Sequence, residues 1–353
     1  MTTSTLRSER LRSHRLSAPA RSVEDAAAHM LAVQSQDFTA GRWALAIRTR
    51  GAPTLSALDE AFARGELVRA WTMRGTLHIV PARDLRWMLG VTAERQRRQA
   101  AARHRGLGID DEMVEAAFRV LRPSLSDGGC TRAEAFELLD GIGIDPRGQR
   151  GIHLLYALTL DGHICQGPVE PRPSGVSRDQ RFVLIEEHIH DSASPDDPLS
   201  ELFVRYVAGH GPASIPDFAW WSGLPLGLAR EAATRSADRV EEASDGLFVS
   251  RARQRRSGQA PVVHALGAFD EYYLSYADRT VVCAPENLDA VGPGKNGMVR
   301  PTVLVDGAVA GVWGYSAPGG ARSVTPTAEL FSPGADEDAV AAALGRYAAF
   351  LAG

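Results

Sequence analysis

Two short segments of this 353-residue chain have residue types and spacing that chemistry could use. Asp270 and Glu271 are adjacent carboxylates of the kind used in general acid–base catalysis, but neighbouring side chains diverge, which favours a structural role. Gln34 and Gln36 follow a helix with apolar periodicity. In extended chain their amides point the same way, whereas in a helix they lie about 200° apart, so their joint use requires the helix to end near Val33. Taken alone, such a pair is typical of helix caps or solvated polar residues.

The sequence lacks the residue patterns of several other common catalytic and cofactor-binding sites. No Ser/His/Asp order, dinucleotide fingerprint or metal-ligand cluster occurs, so neither a metal nor a cofactor is expected. The sole lysine, Lys295, and the N-terminus are the amines that could form a Schiff base. The loop from Gly292 to Gly297 resembles a phosphate-binding loop without its spacing. Contact of Lys295, beside Asn296, with a backbone phosphate remains open.

Basic residues concentrate at one end of the chain, although the formal net charge is only −4. Residues 1–105 hold 18 Arg and no Lys against nine acidic residues. This asymmetry is typical of a polyanion-binding surface on an otherwise acidic, soluble protein. The alternative is an arginine-rich composition that scatters cations without a function. A helix is predicted from Ala82 to about Ala102, and it carries several of the arginines of residues 1–105, including Arg86, Arg95 and Arg98.

Composition predicts a folded, cytoplasmic protein of two or more domains. Apolar residues make up 44% of the chain and charged residues 23%, which excludes a disordered chain. No apolar run is long enough to span a membrane, and the N-terminal segment is rich in Arg and Ser rather than apolar, so no secretion signal is expected.

A plan of three short helices followed by a tight hairpin occurs twice. In the clearer copy, from Asp111 to Gly167, a capping box at Thr131 to Glu134 opens the second helix, and Asp161-Gly162 turns into a strand. A capping box at Ser214 to Asp217 and a hairpin near Asp245-Gly246 mark the other copy. This order is typical of the winged helix-turn-helix.

The N-terminal region is interpreted as a third copy with a larger hairpin. Leu67 to Val80 predicts two strands around Arg74-Gly75, and a two-residue turn there pairs Trp71 with His78. Arg69, Trp71 and His78 then share the face that points away from the core. That face fits either contact with a ligand or an aromatic pair covering a neighbouring helix.

The last third is rich in β-forming residues. Runs at Pro261 to Phe269, Thr280 to Ala284, Val299 to Val305 and Ala308 to Tyr315 precede a helix from Glu337 to Leu351. The last third is interpreted as a small antiparallel barrel or a curled sheet. The expected fold is α+β, with three tandem winged helix-turn-helix units and a C-terminal antiparallel β-barrel. The predicted domains are residues 1–108, 109–180, 181–257 and 258–353.

Several motifs resemble the AlkZ/YcaQ-type winged-helix DNA glycosylases, and the resemblance covers nearly the whole chain. They are Gln34-Ser35-Gln36-Asp37, Trp43 to Arg48, Gly65 to His78, Phe269 to Tyr272 and Arg300 to Gly307. The resemblance implies a monomer with a concave DNA channel that hydrolytically removes bulky alkylated purines from double-stranded DNA and unhooks interstrand crosslinks. The catalytic Q-x-Q motif of the family falls on Gln34 and Gln36. Gln at the second position matches the branch often associated with self-resistance to a DNA-alkylating natural product, whereas Ser35 stands where that family usually has an aliphatic residue.

Amides suit this reaction. An N7-alkylated guanine is already a cationic leaving group, so the enzyme must mainly place a water under C1′, and side-chain carbonyls can orient that water. The candidate DNA contacts are Arg69, Trp71, Arg74, His78, Arg86, Arg95, Arg98, Lys295 and Asn296. The alternatives are a non-catalytic winged-helix transcriptional regulator, in which the glutamines are caps, and a protein that sequesters a genotoxin without touching DNA.

Overall fold

The computed structural model describes residues 1–172, 176–252, 263–294, 297–316 and 322–352. In these ranges the α-helices are α1 (Thr3–Ser13), α2 (Val23–Met30), α3 (Phe38–Ala46), α4 (Leu55–Ala63), α5 (Leu85–Leu107), α6 (Asp111–Ser126), α7 (Arg132–Gly141), α8 (Arg150–Leu160), α9 (Ile185–His188), α10 (Pro198–His210), α11 (Ile215–Ser222), α12 (Leu226–Arg235), α13 (Glu271–Leu274), α14 (Leu288–Val291) and α15 (Glu337–Ala352). The strands are β1 (Val33–Gln34), β2 (Leu67–Met73), β3 (Thr76–Pro81), β4 (Ile164–Val169), β5 (Gln180–Leu184), β6 (Ala213–Ser214), β7 (Val240–Ser244), β8 (Leu247–Ser250), β9 (Val263–Leu266), β10 (Thr302–Val305), β11 (Ala308–Ser316) and β12 (Arg322–Leu330). None of these helices combines the length and the apolar character that crossing a membrane requires.

The backbone divides into two compact units. One, here called the split unit, comprises residues 1–58 and 199–353, and the other, the inserted unit, comprises residues 59–198. This division cuts the chain differently from the four domains expected from the sequence, and those domains stay a prediction.

The inserted unit packs four helices, α5 to α8, with an antiparallel sheet in the order β3-β2-β4-β5. A capping box confirms the predicted start of α7: the Thr131 side chain accepts the Glu134 N–H, and the Glu134 side chain accepts the Thr131 N–H. Between α6, α7 and α8 lies an apolar core formed by Ile109, Ala117, Leu139, Ile144 and Leu154.

The β2–β3 hairpin differs from its predicted register. The two-residue turn is confirmed, because Arg74 and Gly75 both have positive φ and Met73 pairs with Thr76. A bulge between Trp71 and Met73 then shifts the pairing by one residue, so Trp71 faces Leu77 rather than His78. Because side chains alternate along a strand, Arg69 and Trp71 still share a face, whereas His78 lies on the opposite one, so the prediction that all three share a face is wrong for His78.

The split unit contains the second copy of the repeated plan. The elements α10, β6, α11, α12, β7 and β8 follow one another, and their strands form a sheet in the order β6-β8-β7. A capping box at Ser214 and Asp217 opens α11, and Asp245-Gly246 forms the β7–β8 turn. The predicted helices and hairpin of this copy are therefore confirmed.

The C-terminal strands form an open sheet, which corrects the expected β-barrel. Within the described residues the antiparallel order is β12-β11-β10-β9, with β9 and β12 at the two edges and α15 packed on both. Residues Thr280 to Ala284, predicted as a strand, form turns, and β12 was not anticipated. Pro261, where a predicted strand begins, lies outside the described residues.

Candidate active site

Gln34 and Gln36 lie in a short segment between two helices of the split unit, in which Val33 and Gln34 form strand β1. Helix α2 ends at Met30, and its cap Leu31 has a φ of 63°, a conformation that turns the chain out of the helix. Gln34 in β1 is buried, whereas Gln36 is exposed. The requirement that the helix end near Val33 is therefore met. Asp37 caps the next helix, α3, by accepting the Ala40 N–H at 3.0 Å.

A fully buried carboxylate contacts the main chain of this segment. Glu271 Oε1 accepts the Gln34 N–H at 2.7 Å. Its other oxygen, Oε2, accepts from Trp221 Nε1 at 3.1 Å and from Ser275 Oγ at 2.5 Å. Both oxygens are thus engaged by donors from three elements, which fixes the orientation of the carboxylate.

Two buried histidines continue this polar cluster. His210 Nδ1 lies 3.0 Å from the Tyr206 carbonyl and must donate to it, so Nε2 faces Glu271 Oε2 at 3.7 Å. The Tyr276 hydroxyl donates to the His210 carbonyl at 2.6 Å and accepts from His14 Nε2 at 2.8 Å. Burial lowers the pKa of His14 well below its ordinary value, and the nearby charges of His210 and Arg48 lower it further.

The neighbouring carboxylate has a structural role. Asp270 accepts two hydrogen bonds from Arg48, at 2.9 and 2.7 Å, in a buried bidentate pair. It also caps α13 by accepting the Tyr272 N–H at 2.9 Å. The structural interpretation of the Asp270–Glu271 pair is therefore confirmed for Asp270, whereas Glu271 lies against the candidate catalytic segment.

Two glycines let helices and strands approach this segment closely. A Cβ on Gly209, in α10, would lie 3.0 Å from the His29 carbonyl oxygen at the end of α2. A Cβ on Gly267, just after β9, would lie 3.1 Å from the Ala40 side chain in α3. Both contacts are tighter than most Cβ contacts in proteins, so a side chain at either position would require its neighbour to shift by a few tenths of an ångström.

The hairpin candidates lie in the inserted unit and are mostly buried. Arg69 Nη1 donates to Gln166 Oε1 at 2.8 Å, and the Trp71 ring contacts Tyr156 edge-on at 5.8 Å between centroids. His78 is fully buried, with Nδ1 3.1 Å from the Thr72 hydroxyl. Arg74, at the turn, is partly exposed. Their contact with DNA stays a prediction.

The candidates on α5 are exposed. Arg86 donates to the Ile185 carbonyl at 3.1 Å, and Arg98 pairs with Glu94 one turn away. Arg95 also lies on the exposed surface of this helix. Lys295 and Asn296 lie outside the described residues.

Sequence reasoning missed Glu271, Trp221 and His210 as neighbours of the Q-x-Q segment. Glu271 and Gln34 are 237 positions apart in the chain, so no local pattern joins them. The available signal was an acidic residue amid Phe269, Tyr272 and Tyr273, since a carboxylate in an apolar stretch needs buried donors.

The Q-x-Q segment thus joins α2 to α3, and the fully buried Glu271 carboxylate accepts a hydrogen bond from its main chain. The family of AlkZ-like DNA glycosylases matches the chain over residues 27–350, and the chain belongs to this family of enzymes. It is 24% identical over 307 residues to the interstrand DNA cross-link repair glycosylase of Streptomyces sahachiroi, covering 83% of this chain and 82% of that relative. It also resembles the solved structure of Streptomyces sahachiroi DNA glycosylase AlkZ, with a TM-score of 0.79 and 21% identity. That match covers 100% of this chain and 97% of the other.

Proposed function

We propose that this DNA glycosylase hydrolyses the N-glycosidic bond of bulky N7-alkylated purines in double-stranded DNA, including purines joined in interstrand crosslinks. The observation that carries the proposal is the Gln34–Gln36 segment, which begins in strand β1 just after helix α2 ends, within a chain of this family. The name of the Streptomyces relative supports the crosslink as a substrate.

Gln34 and Gln36 hold the attacking water in this mechanism. Alkylation at N7 gives the purine a positive charge, so the glycosidic bond breaks without prior protonation of the base. The amide carbonyls then orient a water toward C1′ and polarise it as the oxocarbenium ion develops. The base leaves as the neutral alkylated purine, the water adds its oxygen to C1′ and releases a proton to solvent, and an abasic site results.

We interpret α10 to β8, and α6 to β4, as winged helix-turn-helix units that bind the duplex. Their order of three helices and a hairpin, with capping boxes at equivalent helix starts, supports this interpretation. The exposed arginines Arg86, Arg95 and Arg98 of α5 are suited to phosphate contacts. Arg74 at the hairpin turn is a further candidate contact.

An excision assay tests the proposal. The chain is incubated with a duplex that carries one bulky N7-alkylguanine, and abasic sites are revealed by alkaline cleavage. We expect strand cleavage at the lesion, and with a crosslinked duplex we expect release of the two strands on a denaturing gel. DNA binding without abasic sites would instead support the non-catalytic regulator, and binding of the free alkylating compound without DNA binding would support sequestration.

A role in self-resistance is tested separately. Bacteria that express the chain should survive a bulky DNA-alkylating natural product at doses that kill the parent strain. Equal sensitivity of the two strains, despite excision in vitro, would remove self-resistance and leave a general repair function.

A further inference from the structure

We infer that Glu271 is a positioning residue for the Q-x-Q segment. Its carboxylate fixes the main chain at Gln34 and thereby sets the direction of the amide that orients the water. The inference rests on the proposed hydrolysis and adds a residue remote in sequence that tunes its rate.

The two carboxylate oxygens of Glu271 have different partners. Oε1 contacts the Gln34 N–H at 2.7 Å, whereas Oε2 is anchored by Trp221 Nε1 and Ser275 Oγ at 3.1 and 2.5 Å. The anchoring of Oε2 removes rotational freedom from the carboxylate, so Oε1 offers Gln34 a fixed acceptor. Hydrogen bonds to an ionised acceptor are shorter and roughly twice as strong as neutral ones. Glu271 can therefore hold the segment more rigidly than a neutral residue would.

A purely stabilising role is a poor explanation for this carboxylate. Glu271 is fully buried, and burying a carboxylate is costly unless donors compensate for the lost hydration. The adjacent Asp270 already stabilises the same turn through its bidentate pair with Arg48. The Oε1 of Glu271 instead accepts from the Gln34 N–H, so one of the donors that compensate for the lost hydration of this carboxylate comes from the candidate catalytic segment.

The backbone leading to each of the two partners is unusual. Leu31, three residues before Gln34, has a φ of 63°, and Phe269, two residues before Glu271, has a φ of 61°. For bulky residues a positive φ is unfavourable by about 1 to 3 kcal/mol. Such conformations persist where the surrounding structure fixes them, so the meeting of these two segments is a constrained geometry.

Single-turnover excision of N7-alkylguanine by Glu271→Gln tests the inference. The amide has one acceptor oxygen, so it cannot serve Gln34 on one side and Trp221 and Ser275 on the other. We expect the rate constant to fall on the order of 10²-fold with unchanged affinity for the duplex, because small misplacements of reacting groups cost about that much. The amplitude reports the folded fraction separately, so a variant that only misfolds would lose amplitude and keep its rate constant. That result would overturn the inference.

A double variant shows whether Glu271 acts through Gln34. If it does, Gln34→Ala combined with Glu271→Gln should be no slower than Gln34→Ala alone, because the amide that Glu271 directs is already gone. If the double variant instead loses the product of the two single-variant reductions in rate constant, Glu271 acts independently of Gln34, and the inference is overturned.

A serine pair supplies a matched control. Ser275→Ala removes a donor to Glu271 Oε2, whereas Ser222→Ala removes an equally buried donor to the Phe218 carbonyl. We expect a slower rate constant for the first variant and the parent rate constant for the second. Equal rate constants in both would count against positioning by Glu271. A parent chain that excises nothing would overturn the proposed function, whereas a parent that excises and a Glu271→Gln variant at the same rate would overturn the inference alone.

Discussion

At the scale of single residues, the amide chemistry of the Q-x-Q segment gives the sharpest prediction. Gln34→Ala and Gln36→Ala should each slow excision on the order of 10² to 10³-fold, since each removes a preorganised polar contact to the transition state. DNA affinity should be retained. Single-turnover kinetics and a binding titration measure the two effects.

Gln36→Glu is the informative comparison at the same position. A carboxylate keeps nearly the same shape and can stabilise the oxocarbenium ion, so this variant should excise faster than Gln36→Ala. If both alanine variants excise at the parent rate, the catalytic assignment is wrong, and Asp37 becomes the next residue to test.

The sequence alone pointed to the two glutamines of the candidate site but not to Glu271. Gln34 and Gln36 could be singled out because side chains two residues apart point the same way in extended chain, a local expectation that the sequence alone supplies. Glu271 could not, because its contact with Gln34 joins segments from opposite ends of the chain. Adjacent carboxylates looked equivalent in the sequence, yet Asp270 binds Arg48 and Glu271 binds the Gln34 main chain.

At the scale of elements, the approach of α10 to the end of α2 depends on Gly209. Gly209→Ala would put a Cβ 3.0 Å from the His29 carbonyl oxygen, so we expect a loss of about 1 to 3 kcal/mol in the free energy of unfolding. Gly227→Ala in α12 is the matched control, because nothing lies within 4 Å of its Cβ. Alanine there should be neutral or stabilising by up to about 1 kcal/mol. Denaturant unfolding compares them, and equal effects would show that α10 tolerates a wider separation.

The exposed arginines of α5 lead to a prediction about salt. If Arg95 and Arg98 contact phosphates, reversing each to Glu should weaken DNA binding and reduce the log–log salt slope by about 0.9 per lost contact. Arg64→Glu, at an exposed arginine of the same unit that lies outside α5 and outside the proposed winged helix-turn-helix units, should change the slope less. Unchanged binding after both reversals would remove α5 from the DNA interface.

Local signals predicted the helices and turns well and the strand register poorly. Capping boxes and the Arg74-Gly75 turn act within a few residues, and all of them form as predicted. The bulge near Thr72 depends on α5 instead: Gln96 donates to the Thr72 carbonyl at 2.9 Å and accepts the Gly75 N–H at 3.0 Å. Because these bonds come from a helix more than 20 residues away in sequence, the hairpin alone could not predict the shifted register.

At the scale of the whole molecule, the C-terminal sheet shows how closure escapes sequence patterning. The alternation in β10 and β11 and the Asp306-Gly307 turn predicted a hairpin correctly. Whether a sheet closes depends on its edge strands, and β12, with Thr325, Pro326 and Thr327 near its centre, lacks the apolar run that marks a strand. Packing of α15 on both β9 and β12 covers the sheet instead.

The stability of the molecule should fall in mild acid because of buried histidines. Burial lowers the pKa of His29 to about 4, with a smaller effect from the Arg15 charge, and the pKa of His14 is lowered as well. In the unfolded chain each histidine is protonated near pH 6.5, whereas in the folded chain the same histidine is protonated only at a lower pH. The stabilisation is therefore present above pH 6.5 and is lost as the pH falls toward 4, by up to about 1.4 kcal/mol per pH unit for each such histidine.

His29→Gln isolates one of these protons. The Gln amide can still donate to the Ser13 carbonyl, which His29 Nε2 contacts at 2.7 Å, and its oxygen can accept from Arg15, which lies 3.2 Å from Nδ1. Since glutamine does not titrate, the slope of the free energy of unfolding between pH 6.5 and 4 should decrease by about one proton. Denaturant unfolding across this pH range measures the slope. A variant with the parent slope would show that His29 binds its proton equally well in the folded and unfolded chains, and the acid sensitivity would then have to come from other groups.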